Sequence, residues 1–436
     1  MSKWKLIGLS LILSLSVLSG CGNNGNNGGN NQAGEGGSSG GNGGGKTKTI
    51  KLFNFKVEIA EALDRMKADY EKEHPGIKLQ IESMGGGQDY GAGLKAKVAS
   101  GDIPDIFFNG GFSERDTWLE YLEDLSDQPW VNDVLDVAKE PMTKDGKLYG
   151  LPMNLEGYGF VYNKDLFNEA GITEPPHTLT ELKAAAEKLK AKGITPFANG
   201  YQEWWVLGNH NVNVPFAHQP DPDQFIGQLN SGQAKIKGNE KFNQWLDLLD
   251  VTLKYSNKNP LTTDYNSQVT MFASGQAAMM QQGNWTQVQI DQINPELNLG
   301  VLPMPINDDP AENDKLLVGV PNNWVVHKNS KVKQEAKDFL NWLVTSESGK
   351  RYIVEEFKFI PALKSIEVKN PDVLGDLATN ISQYSSEGKT LSWNWFKFPE
   401  GAPNEFAANI QAYISGKRTR DQLLDDLNKT WNNLKK

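Results

Sequence analysis

The sequence predicts an α/β fold, because strand patterns and helix patterns alternate in its amino-terminal part and helix stops separate them. Residues 49–55 (TIKLFNF) have the composition of a buried strand, since β-branched and aromatic residues favour strands. Ile59, Leu63, Met66 and Tyr70 then recur at helical spacing. Strands that alternate with helices in this way favour a parallel sheet.

The alternation continues along the chain. Residues 74–76 (HPG) end the first helix, and residues 77–81 (IKLQI) alternate apolar with polar side chains, as a strand does. Three glycines at 85–87 follow, and another helical stretch runs to Val98. Residues 106–108 (IFF) form a further short apolar strand. Three strands are therefore predicted in the first part of the chain.

Helices farther along the chain are predicted by capping and by apolar stripes. Thr178 and Glu181 have the spacing of a capping box, in which each side chain bonds the other residue's backbone N–H. Three apolar stripes are predicted to face the core: Leu182, Ala186 and Leu189; Phe242, Trp245, Leu246, Leu249 and Leu253; and Ala336, Phe339, Leu340 and Leu343.

The carboxyl ends of the predicted strands are candidate ligand sites, because ligands of open α/β sheets bind beyond those ends. The side chains there are polar or aromatic. The candidates are Asn54, Phe55, Gln88, Asp89, Asn109 and Phe112.

Composition restricts the class of protein. The chain has 436 residues, 38% hydrophobic and 22% charged, which is typical of a soluble protein of two or three domains. Its net charge of −10 argues against nucleic acid as a partner, because phosphate recognition needs a basic surface. Cys21 is its single cysteine, so an intramolecular disulfide and a cysteine-based metal site are excluded.

The first twenty residues have the pattern of a signal peptide. Lys3 and Lys5 precede an apolar run over 6–18, which is too short to span a bilayer. The sequence Leu-Ser-Gly-Cys at 18–21 resembles the lipobox of bacterial lipoproteins. The resemblance implies cleavage before Cys21 and acylation of its thiol; an ordinary secretory signal is the alternative.

A flexible tether is predicted over residues 21–46. Residues 22–45 contain twelve glycines and seven asparagines, with no aromatic or large aliphatic residue. Such a segment cannot bury enough apolar surface to offset its ordering entropy. We therefore expect a lipid-anchored protein on the outer face of the cell membrane of a single-membrane bacterium, attached by its anchor alone.

Four segments, in this order, resemble the extracellular solute-binding proteins of carbohydrate ABC importers. They are residues 103–108 (IPDIFF), 149–167 (from YGLP to FVYNKDLF), 272–285 (FASGQAAMMQQGNW) and 336–343 (AKDFLNWL). The resemblance implies two α/β lobes, each a mostly parallel sheet flanked by helices, with a sugar held in the cleft between them. It places the first lobe at 47–153 and 324–361, and the second lobe at 157–318 and 366–436.

The resemblance also implies a function. The expected protein is a receptor, not an enzyme, that binds an oligosaccharide of two to five rings, closes by hinge motion and delivers it to an ABC permease. It is expected to be a monomer without cofactor or metal, since the five histidines lack a metal-binding spacing. The alternatives are a surface glycoside hydrolase, and the same fold with a non-sugar ligand such as a peptide or polyamine.

A sugar site needs flat aromatic faces and planar polar groups that make two hydrogen bonds each. Aromatic residues that lie beside polar ones, and those polar neighbours, are therefore candidates. For each aromatic residue the alternative is packing in the core. The candidates are Tyr201, Glu203, Trp204, Trp205, Asn284, Trp285, Trp393 and Trp395. The resemblance adds Glu156, Asn322 and Asn323, which fall in its two crossover segments.

Overall fold

The computed structural model describes residues 47–435. The predicted signal peptide, the lipidation site Cys21 and the predicted tether at 21–46 lie outside these residues. Residues 47–435 form one compact unit.

The strands in the described part of the chain are mostly short. They are β1 Lys48–Asn54, β2 Ile77–Ser83, β3 Ile106–Asn109, β4 Thr143–Lys144, β5 Lys147–Leu148, β6 Leu151–Pro152, β7 Asn154–Asn163, β8 Thr195–Ala198, β9 Ala277–Gly283, β10 Leu299–Leu302, β11 Leu316–Gly319, β12 Asn323–Val326, β13 Ile360–Pro361 and β14 Thr390–Ser392.

Helices occupy more of the described chain than strands do. They are α1 Ala60–Glu73, α2 Tyr90–Ala99, α3 Ser113–Trp118, α4 Asp136–Lys139, α5 Lys164–Glu169, α6 Leu179–Ala191, α7 Val212–Ala217, α8 Pro222–Ser231, α9 Glu240–Lys254, α10 Tyr265–Ala273, α11 Gln287–Ile293, α12 Pro310–Asn313, α13 Lys333–Thr345, α14 Glu347–Arg351, α15 Asp376–Ser386, α16 Ala402–Ile414 and α17 Arg420–Leu434. A π-helical turn, Val206–Asn211, precedes α7.

The first lobe is built around a five-stranded sheet of order β2-β1-β3-β12-β6. Strands β1, β2 and β3 are parallel, and β12 runs antiparallel to both of its neighbours. Buried side chains of β1, β3 and α13 pack together in its core. The three strands predicted from the alternation are therefore confirmed, and they form neighbours in one sheet.

The second lobe is built around a larger sheet of order β14-β11-β7-β9-β8. Its central strand β7 runs antiparallel to β9, β10, β11 and β13. This sheet is therefore mixed, whereas the sequence predicted mostly parallel sheets. The two-lobed α/β fold itself is confirmed.

The predicted helix faces lie where the patterns placed them. Leu182, Ala186 and Leu189 on α6 are fully buried, and Thr178 forms the predicted capping box with Glu181. The apolar faces of α9 and α13 are buried in the cores of the second and first lobes, except for Leu253, which is half-buried. Within residues 47–435, no helix is long and apolar enough to cross a bilayer.

Short connections join the two sheets. Met153 alone separates β6 from β7, and residues 320–322 separate β11 from β12. Strand β13, which falls in the predicted first lobe, pairs with Leu155 and Asn154 at the start of β7. These connections form the base of the interface between the lobes, because each leads directly from one sheet to the other.

Candidate functional site

The two lobes contact each other above these connections. Lys56, which follows β1, places its ammonium nitrogen 2.6 Å from a carboxylate oxygen of Glu156 on β7. Phe112, which follows β3, lies under the ammonium group of Lys397, 4.8 Å from ring centroid to nitrogen. Side chains from both sheets therefore meet between the lobes, where the sequence predicts a ligand site.

Three predicted asparagines lie together on the first-lobe side. Asn109 ends β3 directly opposite Asn323 at the start of β12, and the amide nitrogen of Asn323 donates to the backbone carbonyl of Asn109 at 3.0 Å. Asn322 lies directly before Asn323, in the connection from β11. Among the described residues, Asn109 Nδ2, Asn323 Oδ1 and both amide atoms of Asn322 are buried without a hydrogen-bond partner.

Six rings gather on the second-lobe side, and we call them the aromatic cluster. His210 lies at its centre, stacked on Tyr158 at 4.4 Å between ring centroids. The other rings lie 5.1 to 6.1 Å from that of His210. The aromatic cluster comprises Tyr158, Trp205, His210, Trp285, Trp393 and Trp395, so it brings together four of the predicted tryptophans.

Different elements hold the tryptophans of the aromatic cluster. Trp285 follows β9, and its indole N–H donates to Gln282 at 3.0 Å. Trp393 follows β14 and packs on Gly319, where a β-carbon would lie 2.6 Å from the indole. Trp393 and Trp395 are each 6% exposed, whereas Trp205 and Trp285 are half-buried. Trp205 and Trp285 are therefore the more exposed tryptophans of the aromatic cluster.

Glu203 and Trp204 lie beside the aromatic cluster. One carboxylate oxygen of Glu203 accepts the backbone N–H of Tyr265 at 2.9 Å. The other, Oε2, is buried without a partner among residues 47–435, as is the indole nitrogen of Trp204. A β-carbon at Gly87 would lie 3.1 Å from Glu203 Oε2, so this carboxylate faces the glycine-rich loop of the first lobe. Burial raises the pKa of Glu203.

A buried ion triad joins the lobes. The ammonium group of Lys56 lies 2.6 Å from Glu58 and 2.6 Å from Glu156, and the side chains of Lys56 and Glu156 are 3% and 4% exposed. The amide of Asn154 also donates to Glu156, at 2.9 Å. Burial lowers the pKa of Lys56, but the carboxylates of Glu156 and Glu58 outweigh it and raise that pKa overall, so the lysine stays charged. Burial raises the pKa of Glu156, and Lys56 opposes this.

Other predicted residues make bonds that serve the local structure. Asn54 Nδ2 donates to the carbonyl of Lys56 at 2.7 Å, and Asp89 caps α2. The hydroxyl of Tyr201 lies 2.9 Å from that of Thr252, in the core of the second lobe. Asn284 Oδ1 accepts the N–H of Gly157 at 3.0 Å. The structure does not bring these four side chains into the aromatic cluster, and their ligand role stays a prediction.

Two predicted residues lie elsewhere on the first lobe. Phe55 follows β1 and packs on Phe108, at 4.1 Å between ring centroids. Gln88 is exposed in the loop before α2. Phe55 is 5.3 Å from the ammonium nitrogen of Lys56, so it lies beside the ion triad. The ligand role of Gln88 stays a prediction.

Sequence reasoning missed three residues of this region: Lys56, His210 and Phe396. In the sequence, His210 suggests only a metal ligand, and the spacing of the histidines does not fit a metal site. Lys56 directly follows Asn54 and Phe55, two predicted site residues at the end of β1. This position at the carboxyl end of a strand is the sequence signal that could have identified it. Phe396 packs against the cores of both lobes.

The arrangement is suited to binding. It offers aromatic faces from one lobe and unpartnered amide groups from the other. Buried polar groups without partners cost free energy, about 1–3 kcal/mol each. A ligand with many hydroxyl groups and apolar ring faces could supply the missing hydrogen bonds and cover the aromatic faces.

Gly110 provides a test of the contact between the lobes. A β-carbon at Gly110 would overlap the ring of Phe396. We expect Gly110→Ala to disfavour the closed arrangement by about 1 kcal/mol, the low end for overpacking, and so to weaken ligand affinity about fivefold in calorimetry. Gly227→Ala is the matched control, because nothing lies within 4 Å of a β-carbon there. Equal affinities for both variants would contradict the expectation.

Glu114 should make stability depend on pH. It is half-buried and accepts the N–H of Gly110 at 2.8 Å; burial raises its pKa from 4.5 to about 7. Between these two values the folded chain holds a proton that the unfolded chain releases, so the free energy of unfolding falls as pH rises. Urea unfolding of the parent protein should show an extra loss of about 1–2 kcal/mol between pH 4.5 and 7.5, relative to Glu114→Gln. Parallel pH profiles for the two proteins would contradict it.

Curated relatives and solved structures resemble this chain over most of its length. The multiple sugar-binding protein of Streptococcus mutans is 26% identical over 405 residues, which cover 89% of this chain and 90% of that protein. The RafE solute-binding protein in complex with raffinose superposes with a TM-score of 0.77 at 24% identity, covering 89% of this chain and all of that one.

A second solved structure shows the same fold. It is a sugar transporter from Bacillus licheniformis in complex with stachyose, with a TM-score of 0.74 at 24% identity, covering 88% of this chain and all of that one. The resemblance noted in the sequence is confirmed by a family comparison, which matches residues 56–350, well over half of the chain. The chain belongs to the family of bacterial extracellular solute-binding proteins.

Proposed function

We propose that this protein is the sugar receptor of an ABC importer and binds an oligosaccharide of two to five rings between its lobes. The observation that carries the proposal is that Asn109, with its buried, unpartnered amide nitrogen, adjoins Gly110, which contacts Phe396 beside Trp395 of the aromatic cluster. The names of its relatives support it, because they are sugar-binding proteins. No covalent step is proposed; the relatives are named as binding proteins, not as enzymes.

The residues proposed to contact the sugar come from both lobes. Trp205 and Trp285 offer half-buried ring faces on which a sugar ring can stack. Asparagine amides and carboxylates can each bond two hydroxyl groups. The proposed contact residues are Asn109, Glu156, Glu203, Trp204, Trp205, Trp285, Asn322, Asn323, Trp393 and Trp395.

The proposed mechanism is a shift of population. A sugar that touches both lobes binds the closed arrangement better than the open one, and it favours closure by that difference in affinity. The closed protein is then recognised by the permease. We propose that the lobes are those expected from the sequence, 47–153 with 324–361 and 157–318 with 366–436, joined by the intervening crossovers.

Calorimetry of the chain from Lys46 onward tests the function, since its residues 47–435 form one compact unit. The panel comprises raffinose, stachyose, maltodextrins, xylo-oligosaccharides and chitin oligosaccharides, with monosaccharides and short peptides as controls. We expect micromolar or tighter binding of one oligosaccharide class, without any product. Binding of none of the sugars by folded protein would overturn the proposal, and release of smaller sugars would favour a hydrolase.

We propose that Cys21 carries the lipid anchor. Stable membrane attachment takes more than one acyl chain, and an acylated amino-terminal cysteine can carry several. Cys21→Ala should leave the protein without acyl chains, and mass spectrometry of the amino-terminal peptide measures this directly. An acylated amino-terminal peptide from Cys21→Ala would contradict the proposal. Cleavage of the parent protein at a position other than before Cys21 would show that the segment is an ordinary secretory signal.

A further inference from the structure

Side chains of three other elements hold the backbone around His210. It lies in the π-helical turn Val206–Asn211, and such turns are rare and occur often at functional sites. The hydroxyl of Tyr158 donates to the His210 carbonyl at 2.8 Å. Next along the chain, the side chain of Asn211 bonds both Gln281 at 2.8 Å and the indole of Trp245 at 2.6 Å. The turn is therefore anchored to β7, β9 and α9.

The imidazole ring of His210 has aromatic neighbours on several sides but lacks a polar partner for Nδ1. Its ring centroid lies 5.1 Å from Trp285, 5.2 Å from Trp205 and 5.3 Å from Trp395. Among residues 47–435, nothing bonds Nδ1, which is buried. A phenylalanine would fill the same space without the cost of an unpaired nitrogen. Packing alone therefore does not account for a histidine at this position.

His210 lies two rings from the boundary between the lobes: its ring is 5.3 Å from Trp395, Trp395 is 5.4 Å from Phe396, and Phe396 packs against the cores of both lobes. Burial, with a smaller contribution in the same direction from the charge of Lys56 in the first lobe, lowers the pKa of His210 to about 3. The ring is neutral under ordinary conditions, so one nitrogen donates and the other accepts a hydrogen bond. A neutral imidazole surrounded by tilted and edge-on indole rings suits a hydroxyl group on a sugar ring that packs among those rings.

We propose that His210 contacts the sugar directly and that its Nδ1 makes a hydrogen bond with one hydroxyl of the ring stacked on the aromatic cluster. The inference rests on the proposed sugar-binding function and adds a residue that decides which hydroxyl pattern is accepted. A site built to hydrogen-bond a ligand hydroxyl discriminates strongly against a ligand that lacks this hydroxyl, because the buried protein group is then left unpaired.

Two variants separate hydrogen bonding from packing. His210→Phe keeps a ring but removes both nitrogens, and His210→Asn places an amide near the position of Nδ1. In calorimetry with raffinose and stachyose, we expect His210→Phe to raise the dissociation constant tenfold or more, and His210→Asn to recover part of the loss. The thermal unfolding midpoint of His210→Phe should not fall, since the variant removes an unpaired nitrogen.

Nitrogen-15 spectra of labelled histidines give a direct signature. The His210 signals are those missing in His210→Phe, and we expect them to shift when raffinose or stachyose saturates the parent protein. His218 is the matched control, because it is also buried with one unpartnered nitrogen, Nε2, among the described residues, but it lies outside the aromatic cluster and its Nδ1 is 2.8 Å from the carbonyl of Val214. The His218 signals should not move.

The outcomes distinguish this inference from the function on which it rests. If the parent protein binds neither sugar nor any other oligosaccharide, the proposed function fails. If the parent protein binds and His210→Phe binds equally well, or if the His210 signals stay unchanged on saturation, the direct contact is refuted and His210 is a packing residue. Loss of affinity together with a lowered unfolding midpoint in both variants would also refute it.

Discussion

Lys56→Met is expected to lower the free energy of unfolding at pH 7 by about 3–5 kcal/mol, because it leaves Glu156 and Glu58 without their shared cation. Lys56 and Glu156 are almost completely shielded from water. Breaking a buried ion pair by removing one partner leaves an uncompensated charge, which costs more than the pair itself contributes. Urea unfolding measures the loss. The loss should shrink toward pH 5, since burial raises the pKa of Glu156 and protonation removes its charge.

Two control variants sharpen the test of Lys56. Lys51→Met breaks an ion pair with Asp102 whose side chains are 45% and 56% exposed, and such pairs contribute about 0–1 kcal/mol. Adding Glu156→Gln to Lys56→Met should recover part of the stability, because it removes one of the unpaired charges. Equal effects of Lys56→Met and Lys51→Met would show that the triad is hydrated in solution.

Trp285→Ala is expected to weaken binding of the oligosaccharide by about 2–3 kcal/mol, or 30- to 150-fold in the dissociation constant. Trp285 keeps part of its ring exposed, and its indole N–H is fixed by Gln282. Truncation removes the stacking face and loosens the rings around His210, from which Trp285 lies 5.1 Å. Calorimetry with the sugar found to bind measures the effect.

Matched controls distinguish a stacking role from a general loss of structure. Trp285→Phe should retain most of the affinity, since it keeps a smaller ring. Trp342→Phe should leave the affinity unchanged, because Trp342 packs against Tyr70 in the first lobe, with ring centroids 4.9 Å apart. Unchanged affinity of Trp285→Ala with a normal unfolding midpoint would remove Trp285 from the site.

Elements governed by local sequence could be predicted from the chain alone. The capping box of Thr178 and the apolar faces of α6, α9 and α13 depend on residues three or four positions apart. Strands β1, β2 and β3 were recognised for the same reason, since their patterns are short and continuous. The two-lobed arrangement followed from the family resemblance, not from these local patterns.

Features that depend on distant pairs could not be predicted. Lys56 meets Glu156 a hundred residues later in the chain, and a mixed sheet around β7 depends on which strands pair in space. The burial of Tyr201 was equally inaccessible, because an aromatic residue beside polar ones has the same local pattern in a core and in a binding site. His210 has no sequence signal beyond its type; its meaning comes from the rings around it.

The contacts between the lobes have a kinetic consequence. His210 is buried, so a sugar can reach it only after contacts such as Lys56 with Glu156 and Gly110 with Phe396 have separated. Entry is then limited by the fraction of molecules that are open at any moment, because the sugar enters the open arrangement and is held by the closed one. The observed rate of association should therefore reach a plateau at high sugar concentration, and variants that weaken the contacts should bind faster even where they bind less tightly.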